Sequence, residues 1–263
     1  MGVEPVPNAP AAVADCEGER LLLVADYHAG IERVFRQQGI EIQSRSGKRR
    51  ERLRGLLGET DPDRLVVLGD LVHSIGDPGR EERAEIEALF AAIDVPVTLV
   101  KGNHDGVVEP VLAALDHDVT VTETTGIRLD PLGLVHGHTW PDPAVLGADV
   151  VCLGHEHPVV RLVDEVGGSR MERVWLRGDL DPAPFLAHAA ETGQAGGEGE
   201  DATVDESEID AEMVVFPAFN DLSGGTWVNV TGQDFLSPFL PEGLAEGEAY
   251  LLDGTRLGDY RSV

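Results

Sequence analysis

The chain has 263 residues, with 48 Asp and Glu against 20 Lys and Arg and a formal net charge of −28. A hydrophobic fraction of 42% supports a sizeable core and excludes wholesale disorder, which needs low hydrophobicity as well as high charge. No stretch approaches the ~20 apolar residues of a membrane-spanning helix, and Cys16 and Cys152, outside any Cys-x-x-Cys pattern, exclude a disulfide framework and a thiolate zinc ribbon.

Residues 1–18 carry Pro, Ala and Gly and read as a flexible N-terminal arm, with residues 19–263 as a single domain. The arm lacks a basic start followed by an apolar core, so no secretory signal is expected and the expected compartment is the cytoplasm. Leu21 to Ala25 reads as a short strand buried on both faces and ends at Asp26. Residues 31–57 mix charge with intermittent apolar positions, which fits one or two helices broken near Gly39. Leu65 to Leu68 is a second buried strand, ending in Gly69-Asp70. Arg80 to Ala92 has near-helical apolar spacing at Ala84, Ile86, Leu89, Phe90 and Ile93. A third strand, Val97 to Val100, runs into Lys101-Gly102-Asn103-His104-Asp105, and Val107 to Leu115 reads as a helix.

Beyond that point strands dominate. Val119 to Leu129 holds one or two, Leu132 to Val135 leads into His136-Gly137-His138, and Val150 to Leu153 leads into Gly154-His155-Glu156-His157. Val159 to Val163 and Arg170 to Leu176 form a predicted hairpin around Gly167-Gly168. An acidic flexible insertion is expected over about 189–212, followed by strands at Met213 to Phe216 and Thr226 to Val230. The residues from Gly254 onward read as a loose end or an edge strand. The order, βα units first and mostly β afterwards, predicts an α/β architecture with the site at the carboxyl ends of the strands.

Eight of the nine histidines fall between positions 28 and 157, and six stand in clusters directly after apolar strands. Imidazole, carboxylate and amide oxygen together suit a borderline divalent metal. Seven donors are on offer: Asp26, His28, Asp70, Asn103, His136, His155 and His157. One catalytic zinc needs about three protein ligands, so seven suit two metals sharing a carboxylate. A metal pair can clamp the attacking and leaving oxygens of an in-line displacement, which is the chemistry of phosphoester hydrolysis.

The order Asp-x-His, Gly-Asp, Gly-Asn-His-Asp, His, Gly-His-x-His resembles the calcineurin-like metallophosphoesterase superfamily over residues 21 to about 163, with a weaker continuation to about 230. LGHEHP at 153–158 and VFPAFNDLSGGTWVN at 215–229 are similar to archaeal SbcD-related phosphoesterases, relatives of bacterial phosphoesterases found beside DNA ligase and an Lhr-type helicase. The resemblance implies a four-layer sandwich of two mixed β-sheets flanked by helices. It implies two divalent ions, manganese first, with iron, zinc or nickel as alternatives. Asp26, His28 and His157 would hold one ion, Asn103, His136 and His155 the other, and Asp70 both. His104 would contact the phosphoryl group and protonate the leaving oxygen. A helicase or repair partner is implied as well.

One position departs from the pattern. In the phosphatase branch of the superfamily an acid stands three residues after the bridging aspartate and orients the catalytic histidine; here that position is His73. Orientation of His104 has to come from elsewhere, a backbone carbonyl being one source, and His73 is a candidate substrate contact. Glu156, between two candidate ligands, is expected to point away, and Asp105 to cap a turn.

Arg45, Lys48, Arg49, Arg50, Arg52 and Arg54 concentrate six of the twenty basic residues. They read either as a cationic lip for a polyanion, with Arg45, Lys48 and Arg49 as substrate contacts, or as a solvated helix face. The expected activity is phosphodiester hydrolysis on nucleic acid or nucleotides. A small-molecule phosphatase and a non-catalytic scaffold are the alternatives. The net charge alone opposes a phosphate-bearing substrate. Abundant acid with only two lysines, however, resembles proteins of salt-in halophiles. At roughly 1 M salt the Debye length is about 3 Å, and long-range repulsion is largely screened.

Overall fold

The computed structural model describes residues 2–164, 166–192 and 209–263. Two mixed sheets face each other. The first has β1 (Glu4–Pro5), β2 (Ala11–Cys16), β3 (Glu19–Val24), β4 (Arg64–Leu68), β5 (Val97–Val100) and β6 (Val119–Val121) in sequence order, with β3 to β6 parallel. The second comprises β7 (Ile127–Leu129), β8 (Leu132–Val135), β9 (Val150–Leu153), β10 (Val159–Val163), β11 (Ser169–Leu180), β12 (Glu212–Val215), β13 (Leu244–Leu251) and β14 (Arg256–Asp259). Its order is β14-β13-β11-β12-β9-β8-β7, with β10 paired to β11. Helices α1 (Ile31–Gln37), α2 (Ser46–Thr60), α3 (Arg80–Phe90) and α4 (Glu109–Leu112) link the strands of the first sheet. Helices α5 (Pro143–Leu146) and α6 (Ala183–Thr192) belong to the second half.

Side-chain alternation along the strands builds three apolar layers. On β3, Leu22 and Val24 pack with Leu53, Ile86 and Phe90 from the helices, while Leu21 and Leu23 face the other sheet. On the second sheet, Leu134, Cys152 and Val214 fill the middle layer, and Val151, Leu153, Met213 and Val215 pack outward with Val145 and Phe185. A strand buried on both faces reads as a continuous apolar run for this reason. The layers are therefore helix, sheet, sheet, helix, which is the architecture expected.

Several local expectations differ from the structure. The N-terminal segment is not a loose arm: β2 pairs antiparallel with β3 from Ala11↔Val24 to Cys16↔Glu19, and its small residues Ala11, Ala12 and Ala14 are buried. Small side chains suffice there because the sheet and its partner leave little room. The 107–115 helix shortens to α4 within a run of turns. Residues 226–230 form no strand and make only a bridge from Trp227 to Val159. Strands β6 and β7 fall in different sheets, so the link between them crosses the sandwich. The expected acidic insertion is trimmed at both ends: α6 reaches Thr192, Ile209 and Ala211 are buried, and β12 starts at Glu212. Positions 193–208 lie outside the described residues.

Arg49 corrects the cationic-lip expectation. It is buried at 4% exposure, and its guanidinium donates to Glu32 on α1 (2.8 and 3.0 Å) and to Glu85 on α3 (2.7 to 2.9 Å). Glu85 also accepts from the Gly30 amide at 2.9 Å, so the network ties three helices to the loop after β3. A periodic charged helix does not reveal which side is inside, and a paired buried arginine looks like a surface one in sequence. Arg49→Met should leave two carboxylates facing each other without a cation. Breaking a buried pair this way costs about 3–5 kcal/mol. A fall in melting temperature of roughly 10 °C is expected at that cost, and an unchanged melting curve would contradict the structural role.

Candidate metal centre

The donor residues sit where strands end. Asp26 follows β3, Asp70 follows β4, Asn103 and His104 follow β5, His136 follows β8, and His155 and His157 follow β9. Backbone pairing locks the first two loops together: the His28 amide donates to Asp70 O (2.8 Å), Ala29 to Leu71 O (2.9 Å) and His73 to Ala29 O (3.2 Å). Five of these donors, Asp26, His28, Asp70, His155 and His157, hold left-handed backbone with φ between 45° and 66°. Non-glycine residues rarely adopt that region, and such strain gathers at functional sites. Two glycines make room for the side chains. A Cβ at Gly69 would overlap the His136 ring, and one at Gly102 would overlap Asp70.

All seven predicted donors converge. Asp26, His28 and His157 offer atoms within 4.8 Å of one another, and so do Asp70, His136 and His155. Asp26 Oδ1 lies 3.2 Å from His157 Nε2, and His157 Nε2 lies 3.3 Å from His28 Nε2. Asp70 faces both groups: Oδ1 is 3.4 Å from His136 Nε2, and Oδ2 is 3.7 Å from His28 Nε2. Asn103 Oδ1 joins the second group at 3.1 Å from His136 Nε2.

The outer ring nitrogens are occupied. His136 Nδ1 donates to Leu68 O (2.8 Å) and His157 Nδ1 to Gly224 O (2.9 Å), which turns each Nε2 toward the carboxylates. This is the support a metal-binding imidazole requires. Buried, convergent oxygen and nitrogen donors with no lysine or arginine among them fit divalent ions, so the donor set agrees with the metals that the resemblance implies.

His104 stands beside the donors. Its amide donates to Asp70 Oδ1 at 3.0 Å, and its Nδ1 donates to the His73 carbonyl. The orienting acceptor is thus main chain, supplied by the residue that occupies the usual acid's place. The His73 side chain stacks on His104 (centroids 5.2 Å, planes 16° apart) and places Nδ1 3.2 Å from His28 Nδ1. Its position beside both rings keeps it near the donors. Glu156 points away, as expected: it is buried and accepts from the amides of Leu236 (2.9 Å) and Ser237 (2.6 Å) and from Thr226 Oγ1 (3.0 Å). Asp105 accepts from the amides of Gly102 (3.0 Å) and Val72 (3.3 Å), which makes it a turn residue.

Sequence reasoning missed Asn220. It is fully buried, and its Nδ2 donates to Tyr27 O (3.0 Å) and His28 O (3.1 Å), bracing the loop that carries Asp26 and His28. Its partners lie about 190 residues away, so only its setting in a turn-like Pro-Ala-Phe-Asn was visible. Of the expected substrate contacts, Arg49 is structural, Arg45 pairs with Asp221 at 3.2 Å, and Lys48 is exposed without an ion pair among the described residues.

Protons and divalent ions compete for the same donors. Burial alone would raise the Asp26 and Asp70 carboxyls, but the neighbouring His157 and His136 hold both below the ordinary carboxylate range. Burial opposes a proton on His136, yet Asp70 and Asp26 raise it to about 9. Burial pushes His28 down to about 3 despite Asp70. At pH 7 His28 is therefore neutral and ready to ligate, whereas His136 must first lose a proton. Metal loading should release at least one proton, and affinity should fall about tenfold per pH unit below neutrality. Calorimetry in buffers of different ionisation enthalpy between pH 6 and 8 measures both; a pH-independent affinity would contradict it.

The calcineurin-like phosphoesterase family model matches residues 19–138, the stretch that holds Asp26, His28, Asp70, Asn103, His104 and His136. His155 and His157 lie beyond it. Among solved structures the chain is similar to the nuclease MPE of Pseudomonas putida, at 21% identity over 97% of this chain and 100% of that one, with a TM-score of 0.54. That likeness is one of fold. No curated protein matches the chain significantly. Residues 19–138 thus resemble a calcineurin-like phosphoesterase domain, and the two mixed sheets with flanking helices are consistent with the metallophosphoesterase fold. No helix among the described residues is long and apolar enough to cross a membrane.

Proposed function

We propose that the chain is a binuclear metal-dependent phosphodiesterase acting on nucleic acid or nucleotides. The observation that carries this reading is Asp70: its two oxygens face opposite donor groups, Oδ1 toward His136 and Oδ2 toward His28. A shared carboxylate between two three-donor groups suits a metal pair better than a single ion. The family match supports phosphoester hydrolysis, and the nuclease among its fold neighbours favours a nucleic-acid substrate. An intact donor set speaks against a scaffold that has lost its chemistry.

Asp26, His28 and His157 would hold one ion and Asn103, His136 and His155 the other, with Asp70 between them. When bound, the ions supply Lewis acidity and a hydroxide nucleophile at neutral pH. The chain contributes the rest. Asp70 carries the negative charge needed between two dications, and Asn103 adds a neutral oxygen that avoids over-neutralising them. His104, fixed through Nδ1 to the His73 carbonyl, presents Nε2 to the cluster and delivers its proton to the leaving oxygen. Its side chain is 18% exposed, so a phosphoryl group can reach the ring from solvent.

Manganese is the expected metal. The test is a panel of bis-p-nitrophenyl phosphate, mononucleotides, cyclic nucleotides and single- and double-stranded DNA, run with Mn²⁺ at low and multimolar salt. Metal-dependent cleavage of diesters is expected. Cleavage of monoesters alone would replace the reading with that of a small-molecule phosphatase. No turnover with metals in place would revive the scaffold.

A further inference from the structure

Three arginines from two distant parts of the chain meet on one short segment, 218–221. Arg45 pairs with Asp221 at 3.2 Å. Arg52 lies over the Phe219 ring, 5.4 Å from its centroid. Arg173, on β11, donates to the Ala218 carbonyl at 2.8 Å. Many arginines of this acidic surface carry a carboxylate, as Arg36 does Glu81, Arg54 Glu51, Arg64 Glu19 and Arg256 Glu248, while Arg50, Arg80, Arg161 and Arg261 stand apart from the segment. Arg52 and Arg173 have no carboxylate within 4 Å among the described residues, although both are partly withdrawn from solvent.

The two guanidiniums are uncomfortable. Burial holds Arg173 below its ordinary pKa, with the Arg52 charge adding to the effect and Asp221 and Glu172 opposing it. Glu172 is itself engaged by Arg170 at 3.3 Å. Burial likewise lowers Arg52 against the pull of Asp221. A chain with carboxylates to spare leaves two crowded cations short of anions. An incoming anion would relieve the repulsion and use the unfilled guanidinium donors.

The same segment reaches the metal centre. Asn220, one peptide or about 3.8 Å from Asp221, donates to the His28 and Tyr27 carbonyls. Four residues further on, the Gly224 carbonyl accepts from His157 Nδ1. Between them, Ser223 Oγ is buried and has no hydrogen-bond partner. One strap of chain therefore joins the arginines, an unused hydroxyl and two candidate ligands.

We propose that Arg45, Arg52 and Arg173 form a subsite for a second phosphate of the substrate, set beside the metal centre by residues 218–224. The subsite rests on the reading of that centre as a phosphoester hydrolase. It selects a substrate carrying another phosphate near the scissile one, as a polynucleotide does at every step. It also explains how a strongly acidic protein captures a polyanion at short range.

The test measures binding of a fluorescein-labelled phosphorothioate octathymidylate to the manganese-loaded protein by fluorescence anisotropy across a KCl series. Arg52→Gln should weaken binding at least tenfold and flatten the slope of log affinity against log salt by about 0.7, the value of one phosphate contact on a single strand. Arg45→Gln, at a more exposed position, should act in the same direction, and Arg52→Lys should restore most of the slope. Equal affinity and slope in wild type and Arg52→Gln would overturn the subsite. So would weaker binding with the wild-type slope, which would mark a structural role. Competition by ADP as strong as that by unlabelled strand would keep the subsite and assign it to small diphosphates. Bis-p-nitrophenyl phosphate carries a single phosphate, so its turnover reads the hydrolase alone. Strand binding through Arg52 without that turnover would sink the hydrolase and spare the subsite. Turnover without an Arg52 effect would do the reverse.

Discussion

Asp70→Asn is expected to lower kcat of the manganese-loaded protein at least 10³-fold, a barrier increase of about 4 kcal/mol, and to reduce bound metal from two ions per chain to one or fewer. The substitution keeps the shape and removes the charge. Asp70 presents Oδ1 to His136 at 3.4 Å and Oδ2 to His28 at 3.7 Å, so one of the two donor groups would meet an amide NH₂ in place of a carboxylate oxygen. Asp70 Oδ1 also receives the His104 amide at 3.0 Å, in space that the missing Cβ of Gly102 leaves open. The metal-free cluster gives an independent readout. Asp70 leads in holding the His136 proton up to about 9 against burial, so in Asp70→Asn that imidazole should titrate lower by NMR. Two bound ions and activity within tenfold of wild type would contradict the bridging role.

The positions of these donors were legible because apolar runs such as Leu21–Ala25 and Leu65–Leu68 are buried on both faces, and a polar residue directly after such a run marks a strand's end. Chain order then placed Asp26, Asp70, Asn103 and His136 at neighbouring ends. What the pattern could not carry was anything fixed by contact across the sandwich. Strand β2 is made of small residues whose burial depends on β3, and its Pro-rich approach reads as loose chain. Strand β13 was missed because Glu246, Gly247 and Glu248 interrupt its apolar pattern, while its pairing is set by β11. Arg49 looked like its neighbours on α2 until Glu32 and Glu85 closed around it. Arg173 lies more than 100 residues from Arg45 and Arg52, and only the fold brings them to one segment. The candidate donors are thus encoded locally, whereas the residues that brace them are encoded by tertiary contact.

His104→Ala should leave both metals bound and lower kcat by about 10² to 10⁴, the usual range for loss of a positioned general acid. The ring falls in a three-imidazole group with His28 and His73 that has no carboxylate, and not in either group that holds Asp26 or Asp70, so metal content should match wild type. Its Nε2 lies 3.8 Å from Asp70 Oδ2, close to where the phosphoryl group would be held, and its Nδ1 is committed to the His73 carbonyl. With one nitrogen fixed, the other is the only place on the ring from which a proton can reach the leaving oxygen. This makes the loss depend on the leaving group. p-Nitrophenolate departs without protonation, whereas an alkoxide from a sugar needs it. The variant should therefore lose at least tenfold more activity on a thymidine dinucleotide than on bis-p-nitrophenyl phosphate. Equal losses on both would mean that His104 only binds the phosphoryl oxygen, and the proton would then have to come from solvent. His73→Ala separates positioning from contact, because the carbonyl that holds His104 belongs to the backbone and survives the change. Removal of the His73 ring takes away the stacking partner of His104 and the contact with His28 but leaves the Nδ1 acceptor in place. A much smaller loss than in His104→Ala, with the same ratio between the two substrates as wild type, is what that geometry requires.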